Sequence, residues 1–238
     1  MCADHVEVVR ELVKHGVDVN TRNPRGWTAL DLACARAQRS MARELLALGA
    51  NVNVAAGRSG TVITPLLRVL NAKDEEIAQQ ILEHKADPNL GRSHGLTPLM
   101  TAIEKGLSLD LIQRLLAHGA AVAAVDDSEK RCALHFAAGR THVDVMHVLL
   151  EAGANIDACD SGGFTALHVA VKKNRSGAVD FLLNRGADMH MVGHLARRTA
   201  LQMATNLGHQ SIVELLLKHE VRATSGGGSA GPPDLPTH

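Results

Sequence analysis

The pair of residues in this sequence best suited to covalent chemistry is Cys132 and His135, three positions apart. On a helix this spacing places both side chains on one face, where an imidazole can take the proton of a thiol and create a nucleophile. Such a site also needs a third group that orients the imidazole, and no enzyme motif places an Asn or Asp for that task. His168 lies in a related run without a cysteine, so the sequence predicts no catalytic residues.

The other residues capable of chemistry also lack the context that a site requires. Fourteen histidines are spread along the chain without an HExxH arrangement, and the four cysteines have no CxxC spacing. The run 226–231 has the GxGxxG spacing of a dinucleotide loop, but its context predicts no strand before it and no helix after it. The sequence contains no Walker loop and no kinase motif. We therefore expect no metal site, no cofactor and no enzymatic activity.

The runs around Cys132 and His168 are two copies of one pattern that recurs along the chain. A Thr-(Ala/Pro)-Leu core, with Cys replacing Thr once, recurs at spacings of 36, 33, 35, 33 and 34 residues, beginning at Thr28, Thr64, Thr97, Cys132, Thr165 and Thr199. A second signature, Gly-Ala followed by Asn, Asp or Ala, keeps the same period at Gly49, Gly119, Gly153 and Gly186. Two signatures with one period define a repeat array.

Each copy predicts a pair of helices. In the copy at 127–159, a polar turn precedes a short helix, and a second helix follows with apolar residues at helical spacing, Val143, Met146, Leu149 and Leu150. Only a neighbouring copy can cover such a stripe, so the stability of the array is a sum of interfaces. A chain of 238 residues with no tyrosine, one tryptophan and three phenylalanines suits thin helical layers better than one large core.

Glycine marks the end of the second helix in most copies, as at Gly153. Lys85 and Glu220 occupy this position in two copies. A residue other than glycine costs about 1 kcal/mol in the left-handed region. We expect these two helix ends to be looser than the others or to end differently.

These signatures resemble the Thr-Pro-Leu-His and Gly-Ala-Asp marks of the ankyrin repeat. The resemblance implies an all-α ankyrin-repeat solenoid of helix pairs with hairpin-like β-turn fingers, with six repeats over residues 23–222. Residues 1–22 match only the second helix of a repeat, and the Gly/Pro-rich segment 223–238 is expected to be a disordered tail. In this family the motif histidine hydrogen-bonds backbone near the finger, which implies a structural role for His135 and His168.

The absence of a first helix at the N-terminus predicts an apolar face without cover. Two expectations follow: either the sequence is a truncated gene model or an isoform, or a partner docks on this face. We expect a monomer unless this end docks. Lys and Arg together number 25, as do Asp and Glu, so net charge favours neither nucleic acid nor membrane. The charged first twenty residues and the lack of an apolar run of about 18–20 residues predict an intracellular protein, cytoplasmic or nuclear.

Function in a repeat stack belongs to residues that the repeat frame does not dictate. The resemblance implies a non-enzymatic protein-binding module, an adaptor or regulator, whose variable positions lie in the fingers and along the first helix, on a concave face. Nine of these positions are basic and two, Glu104 and Glu129, are acidic; the basic ones are Arg25, Arg36, Arg68, Lys105, Arg131, Arg140, Lys172, Lys173 and Arg198.

We predict that this face binds an acidic, partly apolar segment of another protein, since basic and aromatic residues together are typical of interface hot spots. The predicted partner-binding residues are Trp27, Arg68, Leu96, Arg131, Phe136, Arg140, Phe164, Lys172, Lys173 and Arg198.

Two alternative functions remain open at this point. The basic face could bind nucleic acid, although the chain has no RNA-binding motif and no interleaved aromatics for stacking on bases. The resemblance also implies that Asn20, Asn53 and Asn89 occupy positions at which a cytosolic asparaginyl hydroxylase modifies ankyrin-type proteins.

Overall fold

The computed structural model describes residues 3–55, 62–140, 142–193 and 197–226. Within them the regular secondary structure is helical, which confirms the all-α prediction. The helices are α1 (Ala3–Lys14), α2 (Ala29–Ala35), α3 (Arg39–Ala47), α4 (Pro65–Ala72), α5 (Glu75–Glu83), α6 (Pro98–Lys105), α7 (Leu109–Ala117), α8 (Ala133–Arg140), α9 (Val143–Glu151), α10 (Ala166–Lys172), α11 (Ser176–Asn184), α12 (Ala200–Leu207) and α13 (Gln210–Gly226). Isolated antiparallel bridges, such as Val125 with Cys132, close the fingers.

The first helix of a repeat begins at the motif threonine. Thr64 and Thr97 have extended backbone and their hydroxyls accept the N–H groups of Leu67 and Met100. A hydroxyl acceptor satisfies one of the N–H groups that a helix start leaves without a partner. Proline follows both threonines at the first helical position, where its missing N–H costs nothing.

The second helices show how the two copies without a terminal glycine behave. Gly153 has a φ of 88°, and Lys85 takes the same left-handed conformation, with a φ of 64°. At Glu220 the helix does not stop: α13 continues to Gly226. The expectation of a different ending is therefore confirmed at Glu220, whereas α5 ends as the glycine-terminated helices do.

The predicted tail needs a correction at its start. Residues 223–226 belong to α13, because no glycine or proline interrupts the chain between Glu220 and Ser225. The remainder of the predicted tail, 227–238, lies outside the described residues. The longer finger expected near 57–60 also lies outside them.

The chain forms two compact units. Unit 1 comprises residues 1–137 and 144–155, and unit 2 comprises 138–143 and 156–238. In unit 1, α4 packs between α2 and α6, and we call these three helices the inner row; α1, α3, α5 and α7 form an outer row. In unit 2, the inner row is α10 packed on α12, and α11 on α13 forms the outer row.

The core of each unit consists of aliphatic side chains between neighbouring helix pairs. Leu30, Leu67 and Ile103 are buried in unit 1, as are Leu167 and Leu182 in unit 2. Small residues that face the next inner helix, such as alanine, allow close approach. None of the described helices is both long enough and apolar enough to cross a membrane.

A ladder of side-chain hydrogen bonds joins successive turns in unit 1. The Asn20 side-chain oxygen accepts the N–H of Asn51 at 2.7 Å. The Asn53 oxygen accepts the N–H of Asp87 at 2.8 Å, and the Asn89 oxygen that of Ala121 at 2.7 Å. These bonds satisfy backbone N–H groups in the connecting turns and so stabilise the packing of successive repeats.

His168 lies at the base of a unit 2 finger and is 1% exposed. Its Nδ1 accepts the backbone N–H of Thr165 at 3.3 Å and lies 3.0 Å from the Thr165 hydroxyl. Its Nε2 forms no hydrogen bond among the described residues, and backbone groups of Arg198 and Met191 in the next finger act on the imidazole. Burial lowers the pKa of His168, and those backbone groups oppose the shift.

Cys132 and His135 have the same arrangement as Thr165 and His168. The His135 Nδ1 accepts the backbone N–H of Cys132 at 3.2 Å and lies 3.0 Å from its Sγ. Burial acts to raise the pKa of the Cys132 thiol, but interactions with His135 outweigh it and leave the pKa below its ordinary value. The exposures of Cys132 and His135 are 5% and 2%, so both side chains are buried at the start of α8.

Replacing His168 tests its role as a cap. His168→Ala leaves the Thr165 N–H unpaired in the interior. We therefore expect the free energy of unfolding to fall by about 1–3 kcal/mol. His168→Gln should be milder, because Gln202 already makes this cap to Thr199 in the last repeat, at 3.0 Å. Urea denaturation followed by circular dichroism measures both. Equal loss in the two variants would contradict the cap assignment.

Acidification should destabilise the fold through the same residue. Because the pKa of His168 is lowered in the folded state, the unfolded chain takes up a proton more readily once the pH falls below about 6.5. The contribution of neutral His168 is thus present above that pH and lost below it. Thermal melting from about pH 8 to about pH 5 should show a smaller decline for His168→Gln than for the wild type or an exposed control, His190→Gln.

Helix α1 should be the first described helix to open. It packs on α3, and the Arg10–Glu44 ion pair joins them, but Val8 and Leu12 are 58% and 49% exposed on its other side. With apolar packing on one side only, its amides should exchange with solvent well before those of α4. Hydrogen exchange followed by mass spectrometry measures the order, and exchange of α1 at the rate of α4 would show that this face is covered.

Candidate partner-binding surfaces

In unit 1, two of the predicted binding residues meet directly. The guanidinium of Arg68, on α4, stacks over the ring of Trp27 with its carbon 4.1 Å from the ring centre. Its Nε donates to the Asp31 carboxylate at 2.9 Å. The three side chains come from two neighbouring repeats, because Trp27 and Asp31 flank the start of α2. The backbone at Trp27 is held by Asn23, whose side-chain oxygen accepts the backbone N–H of Trp27 at 3.0 Å.

Asp31 is the residue of this cluster that sequence reasoning missed. It occupies the position of the motif histidine and is 0% exposed. One carboxylate oxygen accepts the Thr28 N–H and hydroxyl at 3.1 and 3.2 Å, and the other accepts from Arg68. The signal was the Thr-x-x-Asp spacing, which is a capping box. The count of basic variable positions did not include Asp31, whose carboxylate pairs with one of them, Arg68.

The other predicted residues of unit 1 are partly enclosed. Leu96 and Phe136 are half-buried, one in a finger and the other on α8. Arg131 is also half-buried, and its guanidinium forms an ion pair with Glu129. Of the unit 1 residues predicted to bind a partner, the structure therefore joins Trp27 and Arg68 and places Arg131 against a carboxylate.

In unit 2, the predicted basic residues are exposed. Lys172 and Lys173 end α10, and Arg198 lies in the finger before α12. These three side chains form no ion pair or hydrogen bond with any described residue. The same holds for Arg197, which the prediction did not include, and Arg140 is exposed at the end of α8.

The inner row of unit 2 carries charge of one sign. Neither α10 nor α12 contains an aspartate or glutamate. The connection from α9 to α10 contains two acids: Asp157, whose carboxylate accepts the N–H of Asp188, and Asp160, which is 8% exposed and accepts the N–H groups of Gly162 and Phe164. Lys172 and Lys173 form no ion pair with either carboxylate in the part of the chain that the structure describes. The inner helices of unit 1 differ in this respect, because α2 contains Asp31 and α6 contains Glu104.

Less of the Phe164 side chain is accessible to a partner than the sequence suggested. Its ring centre lies 5.7 Å from that of His168, and a side chain on Gly193 would clash with the ring, since a Cβ there would lie 2.6 Å from it. The half-buried ring is thus packed on the next finger, with one part left on the surface.

Among the described residues, no three His, Cys, Asp or Glu side chains gather in an arrangement that could hold a metal ion. The predicted positions Asn20, Asn53 and Asn89 all lie in the hydrogen-bond ladder of unit 1.

Comparison with known proteins agrees with the geometry. A family model of ankyrin repeats matches residues 1–56, 66–160 and 108–193, and a single ankyrin repeat matches 197–224. The chain is 30% identical to SH3 and multiple ankyrin repeat domains protein 2 from Homo sapiens over 92% of its length, but over 12% of that protein.

Two further relatives have a similar identity to the chain over a smaller share of its length. The nuclear factor NF-kappa-B p105 subunit from Gallus gallus is 29% identical over 79% of the chain and 20% of its own length. Neurogenic locus notch homolog protein 1 from Homo sapiens is 31% identical over 70% of the chain and 6% of its own length. The chain thus spans at most a fifth of these three relatives. The repeated helix pairs, their capping threonines and the matching family models together show that the chain belongs to the ankyrin-repeat family.

Proposed function

We propose that this protein is a protein–protein interaction module whose unit 2 inner row binds an acidic segment of its partner. Membership in the ankyrin-repeat family and the likeness to repeat regions of much larger proteins support an interaction module in general. The acidic character of the partner is the specific part of the proposal.

The observation that carries it is the set of unpaired cations around α10 and α12. Lys172, Lys173, Arg197 and Arg198 have no carboxylate partner among the described residues, and both helices lack acids. Several exposed arginines of unit 1 are neutralised instead, as in the Arg39–Asp74 and Arg114–Asp110 pairs, although Arg25 and Arg36 are not. A cluster of one sign on a chain of zero net charge is therefore a local feature of this surface.

Exposed charges of this kind act mainly on the encounter of two proteins. At physiological salt their attraction extends about 8 Å before it is screened. They raise the association rate and select partners of opposite sign, while apolar contacts decide how long the complex persists. The accessible part of Phe164 supplies an apolar neighbour for the cations.

The charge reversal Lys172→Glu tests this proposal. We expect slower association with the partner and a weaker dependence of the rate on salt, because the encounter is steered by fewer cations. Lys218→Glu, on the outer helix α13 of the same unit, makes the same change of charge at another exposed lysine and serves as the control. The partner is first identified by affinity purification and mass spectrometry after nuclease treatment, and surface plasmon resonance then measures the rates.

The outcomes separate the candidate functions. The proposal is supported if the wild type and Lys218→Glu retain a partner that Lys172→Glu loses. Capture that disappears with nuclease would favour nucleic-acid binding instead. Equal association rates for Lys172→Glu and Lys218→Glu at low salt would place the contact elsewhere on the chain.

Phe164→Ala should act on the other rate constant. Loss of an apolar contact is expected to speed dissociation more than it slows association. It should also lower the melting temperature, because the ring packs on Gly193 and His168. Dissociation is therefore measured well below the melting temperature. An unchanged dissociation rate in a destabilised variant would show that Phe164 serves the fold alone.

A second role, as a substrate of an asparaginyl hydroxylase, is proposed for the ladder residues. Asn53 and Asn89 are exposed, and each uses its side-chain amide to join neighbouring turns, donating to the carbonyls of Lys85 and Gly119. Peptide mass spectrometry of the protein from a eukaryotic cell detects the mass of one added oxygen.

A further inference from the structure

We propose that Arg68, held by Trp27 and Asp31, forms a preorganised site in unit 1 that binds a single carboxylate of an Asp or Glu side chain. All three residues belong to unit 1. The site differs from the exposed lysines of unit 2 because neighbouring side chains hold its cation in place. It rests on the proposed function only in that an acidic partner is the source of the carboxylate.

The first step is that two contacts fix the plane of the guanidinium. Its face lies against the Trp27 ring at 4.1 Å, and its Nε edge is bound to Asp31 at 2.9 Å. The aromatic ring and the charge-assisted hydrogen bond at Nε together restrict the rotation of the group. Arg39, whose side chain is 54% exposed, has a similar Nε bond to Asp74 at 2.8 Å but no aromatic ring beside it among the described contacts.

The second step is that the terminal nitrogens remain available. A guanidinium has five N–H donors, and Arg68 uses one of them, on Nε, in a bond to a described residue. The side chain is 10% exposed. Neither terminal nitrogen forms a hydrogen bond with a described residue, and neither is among the fully buried polar atoms that lack a partner, so both retain some contact with solvent.

The third step concerns the ligand that fits this edge. Two parallel N–H donors at the end of a planar guanidinium match the two oxygens of a carboxylate. A ligand carboxylate would approach the edge opposite Asp31, whose oxygens are already bound to Thr28 and to the Arg68 Nε. Neither α2 nor α4 has another acidic residue.

The neighbouring charges favour an anion as well. Arg25 lies in the same finger as Trp27, and Arg36 ends α2; both are exposed and form no ion pair with a described residue. Arg68 and Asp31 cancel each other, so these two arginines leave the surroundings positive. A carboxylate therefore meets a fixed donor pair within a favourable local field.

The test uses the fluorescence of Trp27. Trp27 is the one tryptophan in the sequence, which has no tyrosine, so the emission reports on this site directly. Glutarate, a small dicarboxylate, is titrated into the full chain at constant ionic strength, with sodium chloride as the balancing salt. We expect a saturable change in Trp27 emission. Arg68→Lys should weaken it about tenfold, since a lysine keeps the charge but loses the planar donor pair.

Arg36→Lys is the matched control, because it makes the same replacement at an exposed arginine of unit 1. It should bind glutarate as the wild type does. A wild-type emission that does not change, or changes linearly without saturation, would overturn the carboxylate site. An equal loss of glutarate affinity in Arg36→Lys and Arg68→Lys would show that diffuse electrostatic attraction, and not a specific site, holds the ligand. Circular dichroism melting establishes that each variant is folded, and the wild-type titration decides the question if Arg68→Lys is not.

A second probe separates this inference from the proposed function. A labelled peptide of alternating Glu and Leu residues is titrated into the wild type and Lys172→Glu, with anisotropy as the readout. Peptide binding that is lost in Lys172→Glu, together with an intact glutarate response at Trp27, supports both proposals. A glutarate response without peptide binding would overturn the proposed function alone, and peptide binding without a glutarate response would overturn the Arg68 site alone.

Discussion

The structure depends on the burial of each inner helix against the next one in its unit. Helices of seven or eight residues, such as α2 and α4, are too short to be stable alone in water. They persist because residues such as Leu67 and Ala102 are covered by the neighbouring repeat. The capping threonines and the asparagine ladder then fix the spacing between repeats, since backbone N–H groups at the helix starts and in the turns need partners.

One position, three residues after the capping threonine, shows how the repeat frame admits variation. His168 and Gln202 fill it as uncharged caps, and both accept the N–H of their threonine. Asp31 makes the same cap with a charged group, and its second oxygen then binds Arg68 in the next repeat. A substitution that conserves local structure thus changes the electrostatics of the surface beside it.

Charge is distributed unevenly even though the totals are equal. In unit 1, Arg68 and Arg131 lie against carboxylates, whereas in unit 2 Lys172 and Arg198 do not, among the residues described. A carboxylate paired with a cation cancels the field of that cation at distances beyond a few ångströms. A count of basic positions therefore overstates the field where such carboxylates are present. The unpaired cations of unit 2 and the supported guanidinium of unit 1 are consequently different kinds of candidate site.

The sequence by itself determined the repeat period, the all-α class and the starts of the inner helices, because threonine caps and apolar spacing act within a few residues of each other. It also placed Trp27 and Arg68 among the variable positions. Tertiary structure alone decided that these two stack and that Asp31 binds Arg68, as they are brought together across a repeat boundary. It also decided that the Phe164 ring packs on Gly193. Such contacts depend on the distance between helices and on side-chain rotamers, which no local pattern encodes.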